Sequence, residues 1–369
     1  MRGRRSLLPI GAVLVLVILS VAIATGAVAG SPVSGSTLSA ASAAGSGCQP
    51  AGSTGLTADV IAHSFEYISG TVNATGCDVG VYVGPGTTFV VIEHATITGA
   101  NDHGIFVEDA STIIIMHDVV EHNGLASHKC ATNQTTGCIN EDKAIELVGT
   151  TDSWVVHNLV AGNMADGGIG IADDGPIDPG AINPGTLHAA TNNMVLYNQV
   201  VDNAGGCGIV LAAYNAGAGV TGNVVYDNQV SGSAPGTGPF VGGIVVAADS
   251  PGTVASQNYV SGNLIEESLI PGVVVHSNAP GDVVYGNAVY DNVILKNGLE
   301  GPPNDPTVPT GIEVVAEVFP GEPTPPVLDH TAVFGNVISD DAIGVWTCHA
   351  TNTTVFGTTG NATTPMASC

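Results

Sequence analysis

A six-residue unit that begins and ends with asparagine or aspartate recurs along this chain. In NVVYDN (223–228) an apolar residue stands two places after the first asparagine, and a second asparagine follows five places after the first. Further copies are DVVEHN (118–123), NLVAGN (158–163), NQVVDN (198–203), NYVSGN (258–263), NAVYDN (287–292) and NVISDD (336–341), with TITGAN (96–101) as a degenerate first member. Eight copies predict a repeating architecture, which has to be identified before any single motif is interpreted.

A second unit alternates with the first, usually a glycine followed by an apolar, a variable and an apolar residue. Examples are GIFV (104–107), GIGI (168–171), GIVL (208–211) and GIVV (243–246). Each is the alternation expected of a short strand. A third short apolar stretch, such as IIIM or WVVH, lies between the two units. Each repeat therefore supplies about three short strands, in about 22 residues where it is tightest.

Short strands in repeats of this length cannot bury an apolar face alone, so they must stack on their neighbours. The pattern resembles the right-handed parallel β-helix of the pectate-lyase-like superfamily, in the loose repeat style called the right-handed β-helix region. The resemblance covers about residues 55–361 and implies an all-β fold, a parallel β-helix solenoid of about eight rungs. It implies less about activity, because this scaffold carries lyases, epimerases, hydrolases and adhesins.

The repeated asparagine has a physical task in such a fold. Its amide is expected to bond backbone groups of its own turn and to stack on the asparagine of the next rung as a ladder. Asp118 and Asp341 fit the same role. The second asparagine of each unit is expected to adopt the left-handed conformation, which asparagine tolerates better than most residues.

The N-terminus has the features of an export signal. A basic start is followed by an apolar run from Leu7 and by small residues at Ala27 and Ala29, which favours a cleaved signal peptide over 1–30. The apolar run is long for a signal peptide, so an uncleaved membrane anchor stays open as the alternative. A membrane is expected as a partner only in that second case.

The rest of the chain is expected to comprise a flexible linker, 31–47, and one β-helix domain, 48–369. Outside the leader the only basic residues are Lys129, Lys143 and Lys296, against 32 acids. This balance excludes nucleic acid as a partner, because binding it needs clustered positive charge. We expect a monomer that is secreted or held at the cell surface.

Seven cysteines in an exported chain predict disulfides with one cysteine left over. Proximity pairs Cys48 with Cys77, Cys130 with Cys138, and Cys348 with Cys369. Cys207 is the remainder and is expected to fill a small buried space.

Aligning the rungs on the glycine-apolar unit brings ionisable residues to one level. Asp102, Asp142 and Asp166 lie two residues before the unit, and His103 and Lys143 lie one residue before it. Carboxylates stacked about 4.8 Å apart repel one another unless a proton, a cation or a base relieves them. The alternative is that these are ordinary turn residues, and a two-residue slip at GGIGI would dissolve the column.

The functional interpretation is a polysaccharide site. Lys143 or His103, beside Asp142, would remove or deliver a proton at the sugar. A Ca²⁺ ion, the one cofactor that the pattern suggests, would lie between Asp102, Asp142 and Asp166. Lyases that this fold resembles use an arginine or lysine base, and no arginine remains outside the leader to act as base or to hold a uronate carboxylate. This argues against a pectate-lyase mechanism and leaves Lys143 as the only well-placed substitute base.

Substrate-binding residues are expected in the insertions that interrupt the repeat. The insertions 124–142 and 172–193 follow each other in consecutive rungs and are expected to wall a cleft. Asp173, Asp174 and His188 are the candidates to contact sugar there. The sequence thus predicts a protein that binds or processes extracellular polysaccharide, as a lyase, epimerase or hydrolase if it is an enzyme. A noncatalytic surface solenoid or adhesin is the alternative.

Overall fold

The chain folds into strands and turns. The computed structural model describes residues 39–42, 47–125, 143–164, 167–173, 187–204, 206–233, 241–298, 310–317 and 325–369. Within these ranges all regular structure is β, as predicted, and no helix has the length and apolarity needed to cross a membrane.

The strands are short and evenly distributed along the described residues. The first half of them are β1 Ser39–Ser42, β2 Gln49–Pro50, β3 Thr57–Ala62, β4 Glu66–Asn73, β5 Val79–Val83, β6 Thr88–Thr98, β7 His103–Glu108, β8 Ser111–Met116, β9 Val119–Glu121, β10 Lys143–Val148, β11 Trp154–Val156, β12 Leu159–Ala161, β13 Gly167–Ala172, β14 Ala190–Thr191, β15 Met194–Leu196, β16 Gln199–Val201, β17 Cys207–Ala213 and β18 Val220–Thr221. The remainder are β19 Val224–Tyr226, β20 Gln229–Ser231, β21 Ile244–Ala248, β22 Val254–Ser256, β23 Tyr259–Ser261, β24 Leu264–Glu266, β25 Val273–Ser277, β26 Val283–Tyr285, β27 Ala288–Tyr290, β28 Val293–Leu295, β29 Thr310–Ala316, β30 Val327–Asp329, β31 Ala332–Phe334, β32 Val337–Ser339, β33 Ile343–Cys348, β34 Thr354–Phe356, β35 Thr359–Gly360 and β36 Thr364–Ser368.

Each strand pairs with its equivalent on the next turn of the chain. One sheet of 12 strands runs β2-β3-β5-β7-β10-β13-β17-β21-β25-β29-β33-β36. A 19-stranded sheet contains two such columns side by side, and a 5-stranded sheet runs β14-β18-β22-β26-β30. The pairings are parallel, except that β2 and β3 are antiparallel. Equivalent strands that stack in parallel turn after turn form a parallel β-helix, as predicted.

The core is a column of branched apolar side chains inside the coil. In the 12-stranded sheet, Ile105, Ile145, Ile169 and Ile209 occupy equivalent positions and are fully buried. In the three-residue strands of the 19-stranded sheet only the middle residue is buried in most cases, such as Val225. That residue is the apolar position two places after the asparagine in the six-residue unit.

The repeated glycine of the second unit is required by close packing at a corner of the coil. A Cβ at Gly168 would lie 2.6 Å from Gly208 O and would collide with the Val200 side chain. The same conflict recurs one turn later, where a Cβ at Gly208 would lie 2.7 Å from Gly243 O. Glycine therefore recurs at this position because a side chain would collide there, and its recurrence does not indicate a chemical role.

The predicted asparagine ladders are present, and there are three of them among the described residues. In each ladder the Nδ2 of one asparagine donates to the Oδ1 of the next, at distances from 2.8 to 3.1 Å. The members are Asn158, Asn198, Asn228, Asn263, Asn292 and Asn336 in the first ladder, Asn193, Asn223, Asn258 and Asn287 in the second, and Asn123, Asn163 and Asn203 in the third. Three members of the second ladder, Asn223, Asn258 and Asn287, are first asparagines of six-residue units, and only Asn193 lies outside the units. The first ladder instead joins the first asparagine of 198–203 to the second asparagine of 223–228, so stacking the units first residue on first residue is out of register by five residues at this step.

The prediction of a left-handed second asparagine is wrong by one residue. The left-handed position is the residue directly before the ladder asparagine, for example Asp227 with φ 54° before Asn228, and Tyr197 with φ 58° before Asn198. The reason is that the asparagine side chain must turn inward to reach the backbone of neighbouring turns. The bend therefore falls on the preceding residue, whose side chain points outward.

Disulfides close both ends of the described coil. Cys48 bonds Cys77 and Cys348 bonds Cys369, as predicted. The predicted Cys130–Cys138 pair lies outside the described residues. Cys207 is buried and takes part in neither disulfide, and its Sγ accepts the Gly242 backbone N–H at 3.4 Å. Part of the predicted linker, Ser39–Ser42, pairs as β1 with β4.

Candidate functional site

The strand register places two of the predicted site residues next to each other. Ile105 pairs with Ile145, and Lys143 pairs with Gly167, so His103 and Lys143 start adjacent strands at the same level. The two-residue slip considered at GGIGI does not occur, because Ile145 pairs with Ile169. Both side chains lie on the outward face of the 12-stranded sheet, and both are buried.

His103 forms a dyad with a residue that the sequence did not single out, Glu146. The His103 Nδ1 lies 3.0 Å from Lys143 O and 3.3 Å from Glu146 Oε2. Both of these partners are acceptors, so the Nδ1 carries the proton and Nε2 is the basic nitrogen of the neutral ring. The imidazole also stacks on Phe106, with ring centroids 4.8 Å apart, which fixes its plane.

The Lys143 side chain lies over the neighbouring strand, in a track formed by two glycines. Its Cδ is 3.3 Å from where a Cβ at Gly167 would stand, and its Cγ is 2.8 Å from the corresponding point at Gly170. A Cβ at Gly170 would also lie 3.5 Å from Glu146 Oε1. The Lys143 backbone N–H donates to Glu146 Oε2 at 3.4 Å. The glycines therefore leave room for the lysine to lie beside the glutamate.

A shallow recess lies at this point of the sheet, and it encloses no space large enough for a water molecule. Charged groups at one end and an apolar floor define it, and its lining residues are Lys143, Glu146, Gly170, Ile171, Ala172, Val210, Ala212 and Tyr214. Typical small-molecule sites enclose roughly 300–1,000 Å³, so a sugar would rest on this recess rather than enter it.

A second buried polar pair lies on β5 and β7 of the same sheet, nearer the N-terminus. The Tyr82 hydroxyl donates to Glu108 Oε2 at 2.6 Å. Burial raises the pKa of Glu108 above its usual range, the Tyr82 hydrogen bond opposes this, and the nearby Asp109 carboxylate adds to it. Burial likewise raises the pKa of Tyr82. The pair is therefore a donor-acceptor contact rather than a source of mobile protons.

Of the three carboxylates in the predicted column, only Asp102 lies within the described residues. Asp102 is buried, and its backbone N–H donates to Asp78 O at 2.9 Å. Asp142 and Asp166 lie outside the described residues. Carboxylate oxygens are suitable Ca²⁺ ligands. The three-aspartate calcium site, and the role of Asp142 beside the base, therefore stay predictions.

The two described members of the predicted substrate-binding set have different partners. Asp173 is fully buried, and its carboxylate accepts backbone N–H groups of Tyr214 at 2.7 Å and Gly219 at 2.8 Å. Burial raises its pKa to about 6 despite these bonds. His188 instead pairs with Asp109, at 2.6 Å between Nδ1 and Oδ1. Asp174 lies outside the described residues, so sugar contact by these three stays a prediction.

Glu146 was missed because it occupies the variable position of the second unit, AIEL. The equivalent residues on other turns are Phe106, Gly170 and Val210, which carry no charge. The signal that would have identified it is an acid at an outward strand position otherwise held by apolar residues or glycine. One other acid, Glu313 in GIEV, has that position among the described strands.

Comparisons with known proteins agree with this architecture. A family model described as "Right handed beta helix region" matches residues 72–294. No curated protein sequence matches the chain.

Solved structures with a similar course of the chain include three proteins of different kinds. The surface adhesin PfbA of Streptococcus pneumoniae is 14% identical with a TM-score of 0.45, and the match covers 82% of this chain and 70% of the adhesin. A mutant of the periplasmic alginate epimerase AlgG is 12% identical with a TM-score of 0.47, over 86% of this chain and 64% of the epimerase. The polygalacturonase from Erwinia carotovora is 10% identical with a TM-score of 0.45, over 84% of this chain and 86% of the enzyme. This chain thus spans less than two thirds of the epimerase, and similarity at these levels says nothing about activity.

Proposed function

The chain belongs to the right-handed β-helix region family, and we propose that it is an extracellular protein that processes polysaccharide at Lys143, His103 and Glu146. The observation that carries this proposal is the contact of the His103 imidazole with the Glu146 carboxylate, with the Lys143 side chain lying over the next strand beside the same glutamate. All three groups are at most 5% exposed. Disulfides at both ends of the coil support an oxidising, extracellular environment.

The dyad of His103 and Glu146 is suited to proton abstraction. Glu146 accepts a hydrogen bond from Nδ1–H, so it orients the ring. Its charge also stabilises the imidazolium that forms when Nε2 takes a second proton. The proton with matching chemistry is the one on the sugar carbon next to the carboxylate of a uronate. When that C–H bond breaks, its electron pair moves into the carboxylate, and the Lys143 ammonium would neutralise the developing charge.

Two outcomes follow from the same intermediate. Expulsion of the neighbouring glycosidic oxygen gives a lyase product with an unsaturated end. Return of a proton to the opposite face gives an epimerised sugar. Neither outcome needs an arginine, which is relevant because none occurs outside the leader.

A panel of acidic and neutral polysaccharides, assayed for unsaturated uronate and for new reducing ends, tests the proposal. His103→Gln removes the base and Glu146→Gln removes the negative charge that stabilises its protonated form, and each is expected to lower turnover about 10²–10⁴-fold. Glu313→Gln is the matched control, because Glu313 holds the equivalent position on β29, five strands from β10 in the same sheet, and is similarly buried. If both site variants turn substrate over as fast as wild type, the proposal is contradicted.

A noncatalytic surface role is the second candidate, and the size of the recess favours it. The recess encloses no space through which a polysaccharide could reach the buried imidazole of His103. In that case the protein would bind glycans, as measured on a glycan array, without converting them to product. The same panel separates the two candidates, because binding without product formation supports the surface role.

A further inference from the structure

A row of stacked rings lies on the surface of the 19-stranded sheet, away from the site above. His94, His117 and His157 come from successive turns, with ring centroids 5.4 Å apart in both steps, and Tyr197 continues the row at 5.0 Å. All four residues have left-handed backbone conformations, with φ between 56° and 58°. His157 and Tyr197 directly precede ladder asparagines, His117 precedes Asp118 and His94 precedes Ala95. These residues stand at equivalent places on successive turns, so the imidazoles are held on a rigid edge.

One carboxylate faces two of these imidazoles. Glu93 Oε1 lies 3.6 Å from His94 Nδ1 and 3.7 Å from His117 Nδ1. One ligand atom from each of the three residues lies within 4.8 Å of the other two. The Tyr67 hydroxyl donates to the other oxygen, Glu93 Oε2, at 3.2 Å. This hydrogen bond orients the carboxylate so that Oε1 stays directed at the histidines.

We infer that Glu93, His94 and His117 form a binding site for a divalent transition-metal ion, of which Zn²⁺ is the best fit. Zinc takes imidazole nitrogen and carboxylate oxygen at about 2.0–2.2 Å, which places tetrahedral ligand atoms about 3.3–3.5 Å apart. The two histidine–carboxylate separations, 3.6 and 3.7 Å, are a few tenths of an ångström longer than this. The two imidazoles are stacked with 20° between their planes, and the Nδ1 lone pair lies in the ring plane, so both side chains must also rotate until their lone pairs point at one ion. Both side chains are exposed and can make that rotation with the backbone unmoved.

The Tyr67–Glu93 bond is the kind of outer contact that supports metal ligands. Such partners fix ligand orientation, and their loss typically weakens metal binding about 10–100-fold. Three protein ligands leave at least one coordination position for water or for an external ligand. The site is distinct from the Lys143 recess, because its residues belong to the 19-stranded sheet.

A neighbouring histidine provides a matched control. His122 has the same left-handed backbone as His117, and its Nδ1 lies 3.8 Å from Glu121 Oε2. The residues at its position on the adjacent turns are Gly99 and Gly162, which offer no second imidazole. His122 therefore reproduces one half of the site without the other half.

Calorimetric titration of ZnCl₂ into the tag-free, EDTA-treated full chain tests the inference, with Co²⁺ absorption as a second readout of ligand number. Wild type is expected to bind one ion, and His94→Gln and His117→Gln to weaken binding at least about 100-fold. Tyr67→Phe is expected to weaken it about 10-fold. His122→Gln is expected to match wild type.

Thermal melts without metal establish that each variant is folded, and Glu93→Gln provides a further ligand variant should one histidine change impair folding. The inference is overturned if wild type takes up no Zn²⁺ at millimolar concentration. It is equally overturned if the folded His94→Gln, His117→Gln and Glu93→Gln variants bind as tightly as wild type, or if His122→Gln loses as much affinity as they do.

Discussion

Replacement of one ladder asparagine by alanine is expected to destabilise the fold far more than an ordinary polar substitution. Asn228 is 2% exposed. Its Nδ2 donates to Val195 O at 2.9 Å and to Asn263 Oδ1 at 3.0 Å. Its Oδ1 accepts both the backbone N–H and the side-chain amide of Asn198, each at 2.9 Å. Asn228→Ala removes all of these contacts inside the protein.

The size of the effect follows from the groups left behind. The backbone N–H of Asn198 and the carbonyl of Val195 lose the bonds that Asn228 supplied, and neither can reach water through the ladder. Each buried group that loses its partner costs about 1–3 kcal/mol, so the free energy of unfolding should fall by about 4 kcal/mol. Asn73→Ala is the control, because Asn73 is exposed and bonds only Thr75 two residues away. It should cost less than about 1 kcal/mol.

Guanidinium unfolding followed by circular dichroism measures both variants against wild type. The comparison is valid when the slope with denaturant is unchanged, so that a shifted midpoint reports stability alone. A loss below about 1 kcal/mol for Asn228→Ala, or one equal to that for Asn73→Ala, would refute the ladder as a stabilising element.

Two further predictions concern the site and the response to pH. Gly170→Ala places a Cβ 2.8 Å from Lys143 Cγ, so the lysine must move; turnover should fall about 10–100-fold with folding retained, and unchanged turnover would argue against Lys143. Burial raises the pKa of Asp341 to about 7 in the folded protein, against about 3.9 in an unfolded chain. The folded state therefore binds this proton more tightly, and the stability it contributes is full below about pH 4 and is lost as the pH rises through about 7. Asp341→Asn cannot titrate, so the difference in melting temperature between pH 4.5 and pH 8 should shrink; an unchanged difference would exclude Asp341 as its source.

The fold was predictable because its physical requirements repeat. A middle apolar residue, a ladder asparagine and a corner glycine recur on turn after turn, and alignment of those units alone predicted that His103 and Lys143 start adjacent strands. The left-handed residue was misplaced because the asparagine itself was expected to take that conformation. The position before the ladder residue is held mostly by glycine, aspartate or histidine, such as Gly162, Asp227 and His157, and the bend falls there because the asparagine side chain turns inward.

The site was predictable only in part, because its other members depend on contacts between turns. Glu146 occupies a variable strand position and becomes notable only when its carboxylate is seen beside His103. The ligands Glu93 and His117 come from different turns and share no spacing typical of a metal motif. Asp173 looked like a loop acid, yet three backbone N–H groups bind it in the turn that it holds.

Solvent deuterium incorporation measures the proposed chemistry most directly. A uronate-containing polysaccharide is incubated in D₂O with wild type, Glu146→Gln or Glu313→Gln, and the sugar carbon beside the carboxylate is observed by NMR. Exchange or elimination at that carbon is expected with wild type and Glu313→Gln, and a loss of at least about 100-fold with Glu146→Gln. Absence of any change at that carbon across the panel, or equal rates for Glu146→Gln and wild type, would contradict it.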